Sequence, residues 1–197
     1  MVRPNDNVVR PSDSVVRPSD SVVRPSGLDD EPGLNAAACL QLYRKLAAGV
    51  TVVTSYAPDG PVGLTASSVT SVSLRPPILL LCLTSGSRTL SAIRVQRAFA
   101  VHLLRDDQHD WAQSFADPRI SPESRFSGHQ YRDVLGVPLL ANTLAWSVCF
   151  VEDVRSYGDH CVVVGRVMAA HVRGGRPLLW HDRSFARLAD ASDGGPR

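Results

Sequence analysis

The protein has 197 residues, of which 44% are hydrophobic and 20% charged, which is ordinary for one globular domain with a sizeable core. Its formal net charge of +2 gives no general attraction to nucleic acids or to anionic membranes. No apolar run approaches the roughly 18 residues of a membrane span and no signal peptide opens the chain, so we expect a cytoplasmic location.

The N-terminal segment is a repeat in which VVRPSDS recurs every seven residues from Val2 to Ser26. Each unit contains a proline, which removes a helix donor, so the heptad period does not indicate a coiled coil. The units also lack the apolar surface that folding requires. We therefore predict a disordered tail over 1–33, one folded domain over 34–190 and a short disordered tail over 191–197.

The folded part is predicted to consist mostly of strands joined by turns. The first half is predicted to contain a helix within 35–49, with Asn35 as candidate cap and Gly49 past its end, then a strand over 50–56, a turn over 57–61, a strand through 65–73 and a strand over 78–83 buried on both faces. After the loop 84–89 we predict a helix, a strand over 99–104, a helix over 106–117 and a polar loop over 118–135. Two long strands over 144–154 and 160–172 and a last strand within 178–188 complete the domain. Few long helices separate the strands. This favours a mainly antiparallel barrel over a doubly wound parallel sheet.

The stretch TASSVTSVS carries six hydroxyl groups between Thr65 and Ser73. In one continuous strand these hydroxyls would lie on both faces, with Ser68 and Thr70 opposite to the others. Cross-strand pairs of serine and threonine would explain hydroxyls on one face only. We therefore expect part of this stretch to bind the polar edge of a ligand.

A second candidate site follows the buried strand over 78–83, where the loop SGSRT opens a helix with Ser87, Arg88 and Thr89. Helix N-termini leave N–H groups unpaired, and a guanidinium can contact two oxygens of a phosphate at once. The alternative is that Ser87 only caps the helix and that Arg88 is solvated. A return of the chain through the proline pair would bring both segments to one ligand that has a phosphate and a flat ring.

The turn GDH supplies a third candidate, because His160 could donate a hydrogen bond to a bound ring or to a substrate amide. The alternative is an exposed histidine with no such role. Cys161 follows directly but would point to the opposite face of a strand, which argues against a Cys–His dyad. Trp180 and Phe185 are aromatic candidates for the wall of a flat site or for the core.

Metal, disulfide and dinucleotide-fold signals are absent from the sequence. The four cysteines include no C-x-x-C pair, and the six histidines show neither H-x-x-x-H nor H-E-x-x-H spacing. The G-x-G-x-x-G fingerprint is missing as well. We expect no metal site.

From about Gln41 to Leu188 the chain resembles the flavin reductase family, the small reductase components of two-component flavin-dependent monooxygenases. The resemblance rests on an ordered set of segments: AAGVTVVTS, GLTASSVTSVSLRPP, SGSRT, FAVHLL, RFSG, LAWSVC, YGDH and PLLW. The chain departs from the family pattern at Arg75, at Ala47-Ala48 and at His102. Only His102 lies at a position that bears on the ligand.

The resemblance implies a mainly β fold with some helix, an antiparallel split β-barrel of the FMN-binding type with short flanking helices, in a homodimer. It implies an NAD(P)H-dependent flavin reductase that reduces FMN or FAD by hydride transfer and supplies reduced flavin to a partner monooxygenase. Two alternatives stay open, namely a flavin- or deazaflavin-dependent oxidoreductase with its own substrate, and a non-catalytic flavin- or haem-binding protein. The sequence selects neither between FMN and FAD nor between NADH and NADPH.

The resemblance also assigns roles to the residues of the three candidate segments. Those implied to line the flavin are Thr65, Ala66, Ser67 and Ser68. Those implied to hold its ribityl phosphate are Cys82, Leu83, Thr84, Ser85, Ser87, Arg88 and Thr89. His160 is implied to be the catalytic residue, near the ring where the nicotinamide docks.

Overall fold

A computed structural model describes residues 36–188 of the protein. The predicted tails over 1–33 and 191–197 and the candidate cap Asn35 lie outside these residues. The chain divides into two units after Cys39, and every strand described below belongs to the unit that starts at Leu40. In the described residues no helix has the length and apolar character needed to cross a bilayer.

The described chain is mostly strand. The helices are α1 (Ala36–Arg44), α2 (Arg88–Gln96), α3 (His109–Ala116) and α4 (Pro122–Ser127). The strands are β1 (Ala48–Gly49), β2 (Thr51–Ala57), β3 (Gly60–Ala66), β4 (Thr70–Leu74), β5 (Pro77–Thr84), β6 (Ala98–Leu103), β7 (Tyr131–Val134), β8 (Val137–Leu140), β9 (Ala145–Tyr157), β10 (His160–Val172), β11 (Leu179–His181) and β12 (Ser184–Ala186).

Seven strands form one antiparallel sheet in the order β3-β2-β6-β9-β10-β5-β4. The long hairpin β9–β10 lies at its centre, and β1-β11-β12 and β7-β8 form two small sheets beside it. The prediction of a mainly β, antiparallel fold with short flanking helices is confirmed. Short hairpins impose the antiparallel direction on three of these pairs, β2–β3, β4–β5 and β9–β10, because parallel neighbours would need long crossovers.

The main core lies between α2 and the inward face of the large sheet. Leu90 and Ile93 of α2 pack with Phe99 of β6 and with Leu81 and Val163 of the β5–β10 pair, and all five are fully buried. Burial of each such side chain contributes about 1.5–3 kcal/mol. This packing fixes the position of the α2 N-terminus relative to the end of β5.

His102 is a buried structural residue that joins three strands. Its Nδ1 donates to the carbonyl of Val52 at 3.0 Å, and its Nε2 accepts from the N–H of Leu140 at 3.0 Å. Burial lowers the pKa of His102 to about 4, so the ring is neutral near pH 7. Both ring nitrogens are thus occupied by backbone partners, which leaves neither for a ligand.

The hydroxyl-rich stretch is not the continuous strand that the alternation predicts. β3 ends at Ala66, a bend follows over 67–69, and β4 contains an irregularity between Ser71 and Ser73. The strand over 78–83 differs too: only its inward side chains, such as Leu81 and Leu83, are buried, and the other face is partly exposed.

The segment over 118–135 contains structure where a polar loop is predicted. Ser121 caps α4 by accepting a hydrogen bond from the N–H of Ser124 at 3.2 Å, and Pro122 occupies the first turn. Serine followed by proline is a helix start signal that outweighs the polar composition of the segment. β7 then pairs with β8.

The first helix and the last strand also differ from their predicted bounds. The first helix ends at Arg44 rather than near Gly49, because Ala48 and Gly49 pair with β11. The predicted last strand is a hairpin, β11–β12, whose turn residues Asp182 and Arg183 have φ of 48° and 64°. Positive φ at both turn residues matches the twist of a tight hairpin, but asparagine or glycine is the usual signal for it.

Candidate functional site

The three predicted segments meet at the C-terminal end of β5. Ser68 Oγ donates to the carbonyl of Cys82 at 2.8 Å and accepts from its N–H at 3.1 Å. In the β5–β10 ladder His160 lies opposite Thr84. The three segments are therefore neighbours in space.

A further backbone bond closes this arrangement. The N–H of Ser85, in the loop before α2, donates to the carbonyl of Asp159 at 2.9 Å. The loop that precedes α2 and the turn that carries His160 are thus held together by main-chain groups. Their relative position depends little on side-chain rotamers.

Not all the predicted hydroxyls are available to a ligand. Thr65 Oγ1 donates to the carbonyl of Ala112 in α3 at 2.7 Å, and Ser68 is engaged with β5 as described. The side chain of Ala66 is buried, and its carbonyl accepts from Thr51 Oγ1 at 2.6 Å. The exposed hydroxyl of Ser67 has no hydrogen-bond partner within residues 36–188.

Thr65 and Ser67 line a cavity of 490 Å³ that we call the aromatic cavity. Its other main lining residues are Gln113, Ala116, Trp180 and Phe185. The two aromatic rings meet edge to face, with centroids 5.1 Å apart. The wall is mostly apolar with a few polar groups, which is the composition of small-molecule sites.

The N-terminus of α2 carries unpaired backbone donors. Ser87 caps the helix, which is the role that the alternative interpretation gave it, and its Oγ accepts from the N–H of Leu90 at 3.0 Å. The N–H groups of Arg88 and Thr89 have no partner in the described part of the chain. Such donors at a helix start favour an anion.

Arg88 is not a free cation. Its guanidinium forms an ion pair with the carboxylate of Asp59 in the β2–β3 turn, and both side chains are about half exposed. The hydrogen bond from Arg88 lowers the pKa of Asp59. Both side chains are therefore charged, and the net charge of the pair is close to zero.

A second cavity, of 540 Å³, opens at the start of α2, and we call it the arginine cavity. Its lining residues include Ser87, Arg88, Thr89, Ala116, Arg119 and Arg125. Ala116 lines both cavities. One extended molecule could thus place a flat ring on one side of Ala116 and an anion on the other.

Arg119 and Arg125 have no role in the sequence-based assignment. Both lie in the segment predicted as a polar loop, and Arg125 opens the RFSG landmark of the resemblance. The sequence signal for the helix that carries Arg125 is the Ser-Pro pair at 121–122, which is typical of a helix start. It predicts a short helix there, but its packing against β3 is a tertiary contact.

His160 is a half-exposed side chain with one charged neighbour. Its Nδ1 lies 2.7 Å from Asp159 Oδ1, and 48% of its side chain is exposed. This bond lowers the pKa of Asp159 and orients the ring. Cys161 is fully buried on the opposite face, as the alternation of side chains along a strand predicts.

The buried thiol of Cys161 lies in a polar environment. Its sulfur is 3.4 Å from Ser156 Oγ, 3.6 Å from Ser85 Oγ and 3.1 Å from Arg94 Nη2. These groups, led by Ser156, lower the pKa of the thiol. The contacts tie the loop before α2 to β9 and β10.

These residues fit a phosphorylated ring compound. The arginine cavity offers unpaired N–H donors and guanidinium groups, and the aromatic cavity offers two rings and an unpartnered hydroxyl. Within residues 36–188 no group of three His, Cys, Asp or Glu side chains could hold a metal ion.

Comparison with known proteins gives a consistent result. A family model described as flavin reductase like domain matches residues 43–189. A flavin reductase (NADH) of Kitasatospora aureofaciens is 38% identical over 81% of this chain and 86% of its own. The reductase subunit of a flavin-dependent monooxygenase of Rhodococcus jostii (strain RHA1) is 35% identical over 71% of each chain.

Solved structures agree. The NADH:FAD oxidoreductase of Streptomyces globisporus C-1027, in complex with NAD and FAD fragments, superposes with a TM-score of 0.73. It is 29% identical, and the match covers 80% of this chain and 94% of that one. A longer relative from Rhizobium meliloti (strain 1021) is 42% identical over 64% of this chain, which spans only 40% of that relative.

Proposed function

Because the chain belongs to the flavin reductase family, we propose that it is an NAD(P)H:flavin oxidoreductase that reduces FMN or FAD and supplies reduced flavin to a separate monooxygenase. The observation that carries this proposal is the convergence of the hydroxyl-rich bend, the α2 N-terminus and the His160 turn at the end of β5. Relatives with NADH, FMN and FAD in their names support the reaction type.

The residues divide the work between binding and orientation. The flavin, when bound, supplies the acceptor for the hydride that NAD(P)H donates. Ser67 and the backbone N–H groups of 65–68 bind the polar edge of the ring and stabilise negative charge that develops there. Trp180 and Phe185 exclude water from the aromatic cavity.

At the other end of the site, His160 binds the nicotinamide. Its ring, oriented by Asp159 through Nδ1, forms a hydrogen bond with the carboxamide through Nε2 and holds the nicotinamide against the flavin. The α2 N-terminus and the arginine cavity hold the phosphate.

The first prediction is that purified protein oxidises NADH or NADPH when free flavin is added. We expect turnover on the order of 1–1000 per second with FMN or FAD, measured as the loss of nicotinamide absorbance at 340 nm. Little or no oxidation should occur without flavin, because the flavin is a substrate. Activity with deazaflavin alone would favour the related oxidoreductase, and flavin binding without turnover would favour a non-catalytic protein.

We propose that the protein is a homodimer through the outward face of β5 and β10. This face is mostly apolar and partly exposed in the single chain; its residues are Ile78, Leu80, Cys82, Val162 and Val164, with exposed Phe150, Arg166 and Met168 beside them. Contiguous exposed apolar area of this kind is typical of an interface. A two-fold axis would bury the patch against itself.

The second prediction tests this interface with two matched substitutions. Val164→Lys should convert the dimer to a monomer, because a lysine charge would be buried when the two faces meet. Val95→Lys, on the exposed side of α2 where Val95 is 74% exposed, should leave the dimer intact. Sedimentation velocity would measure both. A Val164→Lys protein that stays dimeric would exclude this face.

The partner and location follow from the reaction. The reduced flavin passes to a separate flavin-dependent monooxygenase, as the name of the Rhodococcus jostii relative suggests. We expect the reaction in the cytoplasm, because both nucleotide substrates are soluble intracellular compounds. Neither membrane nor nucleic acid is needed as a partner.

A further inference from the structure

The guanidinium of Arg125 is partly buried, and the groups that accept its hydrogen bonds are neutral carbonyls. Its Nη1 donates to the carbonyl of Gly63 at 2.9 Å, and its Nη2 donates to the carbonyl of Asp117 at 2.7 Å. Its Nε is buried and has no hydrogen-bond partner among the described residues. Partial burial lowers the pKa of Arg125 because desolvation of a charge is costly, and the nearby charge of Asp117 opposes this shift without forming an ion pair.

The neighbouring arginines are different, because each already has a carboxylate. Arg88 is paired with Asp59, and Arg119 binds both carboxylate oxygens of Asp117 at 2.7–3.2 Å. That pairing, with a smaller charge effect from Arg125, lowers the pKa of Asp117 to about 2, and the hydrogen bonds to this carboxylate within the described residues come from Arg119. In residues 36–188 no carboxylate forms an ion pair with Arg125.

Arg125 lies at a cavity in which a bound anion would contact its charge. It lines the arginine cavity together with the start of α2, where the N–H groups of Arg88 and Thr89 are unpaired. Ser87 lines the same cavity. An anion in this cavity would therefore meet unpaired helix donors and a guanidinium that forms no ion pair among the described residues.

We propose that Arg125, rather than Arg88, is the main cation for the flavin 5′-phosphate. The proposal rests on the proposed function, since it assigns the phosphate of the same ligand. Arg88 contributes its backbone N–H, while its side chain is neutralised by Asp59. The protein thus distinguishes phosphorylated flavins from riboflavin through a residue on α4.

The third prediction compares FMN with riboflavin, which lacks the phosphate. Flavin fluorescence titration should show that the wild type binds FMN more tightly. Arg125→Met should weaken FMN binding by about 10- to 100-fold, as expected for loss of a charged hydrogen bond, and change riboflavin affinity by less than about twofold. The matched variant Arg88→Met should weaken FMN binding by less than about threefold.

A structural role for Arg125 gives a different pattern. If Arg125→Met weakened FMN and riboflavin equally, or if Arg88→Met had the larger effect, the proposal would be wrong. A wild type with equal affinity for both flavins would also overturn it while leaving the proposed function in place. A wild type that bound neither flavin would overturn the proposed function itself.

Two further measurements cover the case in which Arg125→Met does not fold. Arg125→Lys keeps the charge but loses the planar fork, so we expect a loss of about 3- to 10-fold for FMN only. Inorganic phosphate should raise the thermal unfolding midpoint of the wild type and raise that of Arg125→Lys less. Equal effects of phosphate on both proteins would contradict the proposal.

Discussion

Replacing Gly165 by alanine is expected to lower the free energy of unfolding by about 2–3 kcal/mol, because the new methyl group would overpack the main core. A Cβ at this position in β10 would lie 2.5 Å from Cζ of Phe99 and 3.0 Å from Cβ of Cys149. Both neighbours are fully buried, so neither can move aside into solvent. Urea unfolding at one protein concentration would measure the change.

The double variant Phe99→Leu/Gly165→Ala separates overpacking from other causes. Leucine vacates the space that the ring atoms occupy, so the double variant should be at least about 1 kcal/mol more stable than the sum of the single changes predicts. Gly174→Ala is the matched control, since a Cβ at that position would have no neighbour within 4 Å, and its effect should stay within about 0.5 kcal/mol. Strict additivity would contradict the proposed clash.

Replacing His160 by alanine is expected to slow hydride transfer, or to weaken nicotinamide binding, by about tenfold. This is the size expected for the loss of one hydrogen bond of about 1–1.5 kcal/mol to the substrate. Because the side chain is half exposed, the thermal midpoint should hardly change. Stopped-flow reduction of bound flavin over a range of NADH and NADPH concentrations would separate the rate from the affinity.

Two related variants distinguish substrate binding from ring orientation. His160→Gln keeps a side chain that can hydrogen-bond the carboxamide and should recover part of the loss, whereas Asp159→Asn removes only the charged partner of the ring and should have a smaller effect. Reduction rates and nicotinamide affinities of His160→Ala equal to those of the wild type would remove His160 from the mechanism.

Local patterns were sufficient wherever one segment decides its own structure. The Ser87 cap, the SGSRT loop and the two long strands around GDH follow from capping, turn and β-branched signals that act over a few residues. The hydroxyl-rich stretch shows the limit of alternation. Ser68 turns away from the strand because its hydroxyl satisfies both backbone groups of Cys82, a residue 14 positions later.

The site was predictable in part for the same reason. Thr65, Ser67, Ser87, Arg88 and Thr89 do line the two cavities. The state of Arg88 was not predictable, because its partner Asp59 lies 29 positions away. The charge available to an anion is thus set by long-range pairing.

The amino-acid sequence alone determined the antiparallel β class, the family and the three segments that meet at the end of β5, because periodicity and motifs are local properties. Only the tertiary structure decided which hydroxyls are occupied and which arginine of the arginine cavity forms no ion pair. It also decided that Arg125 lines this cavity beside α2. Those outcomes depend on distances between residues far apart in the chain, since hydrogen bonds and ion pairs act only over a few ångströms.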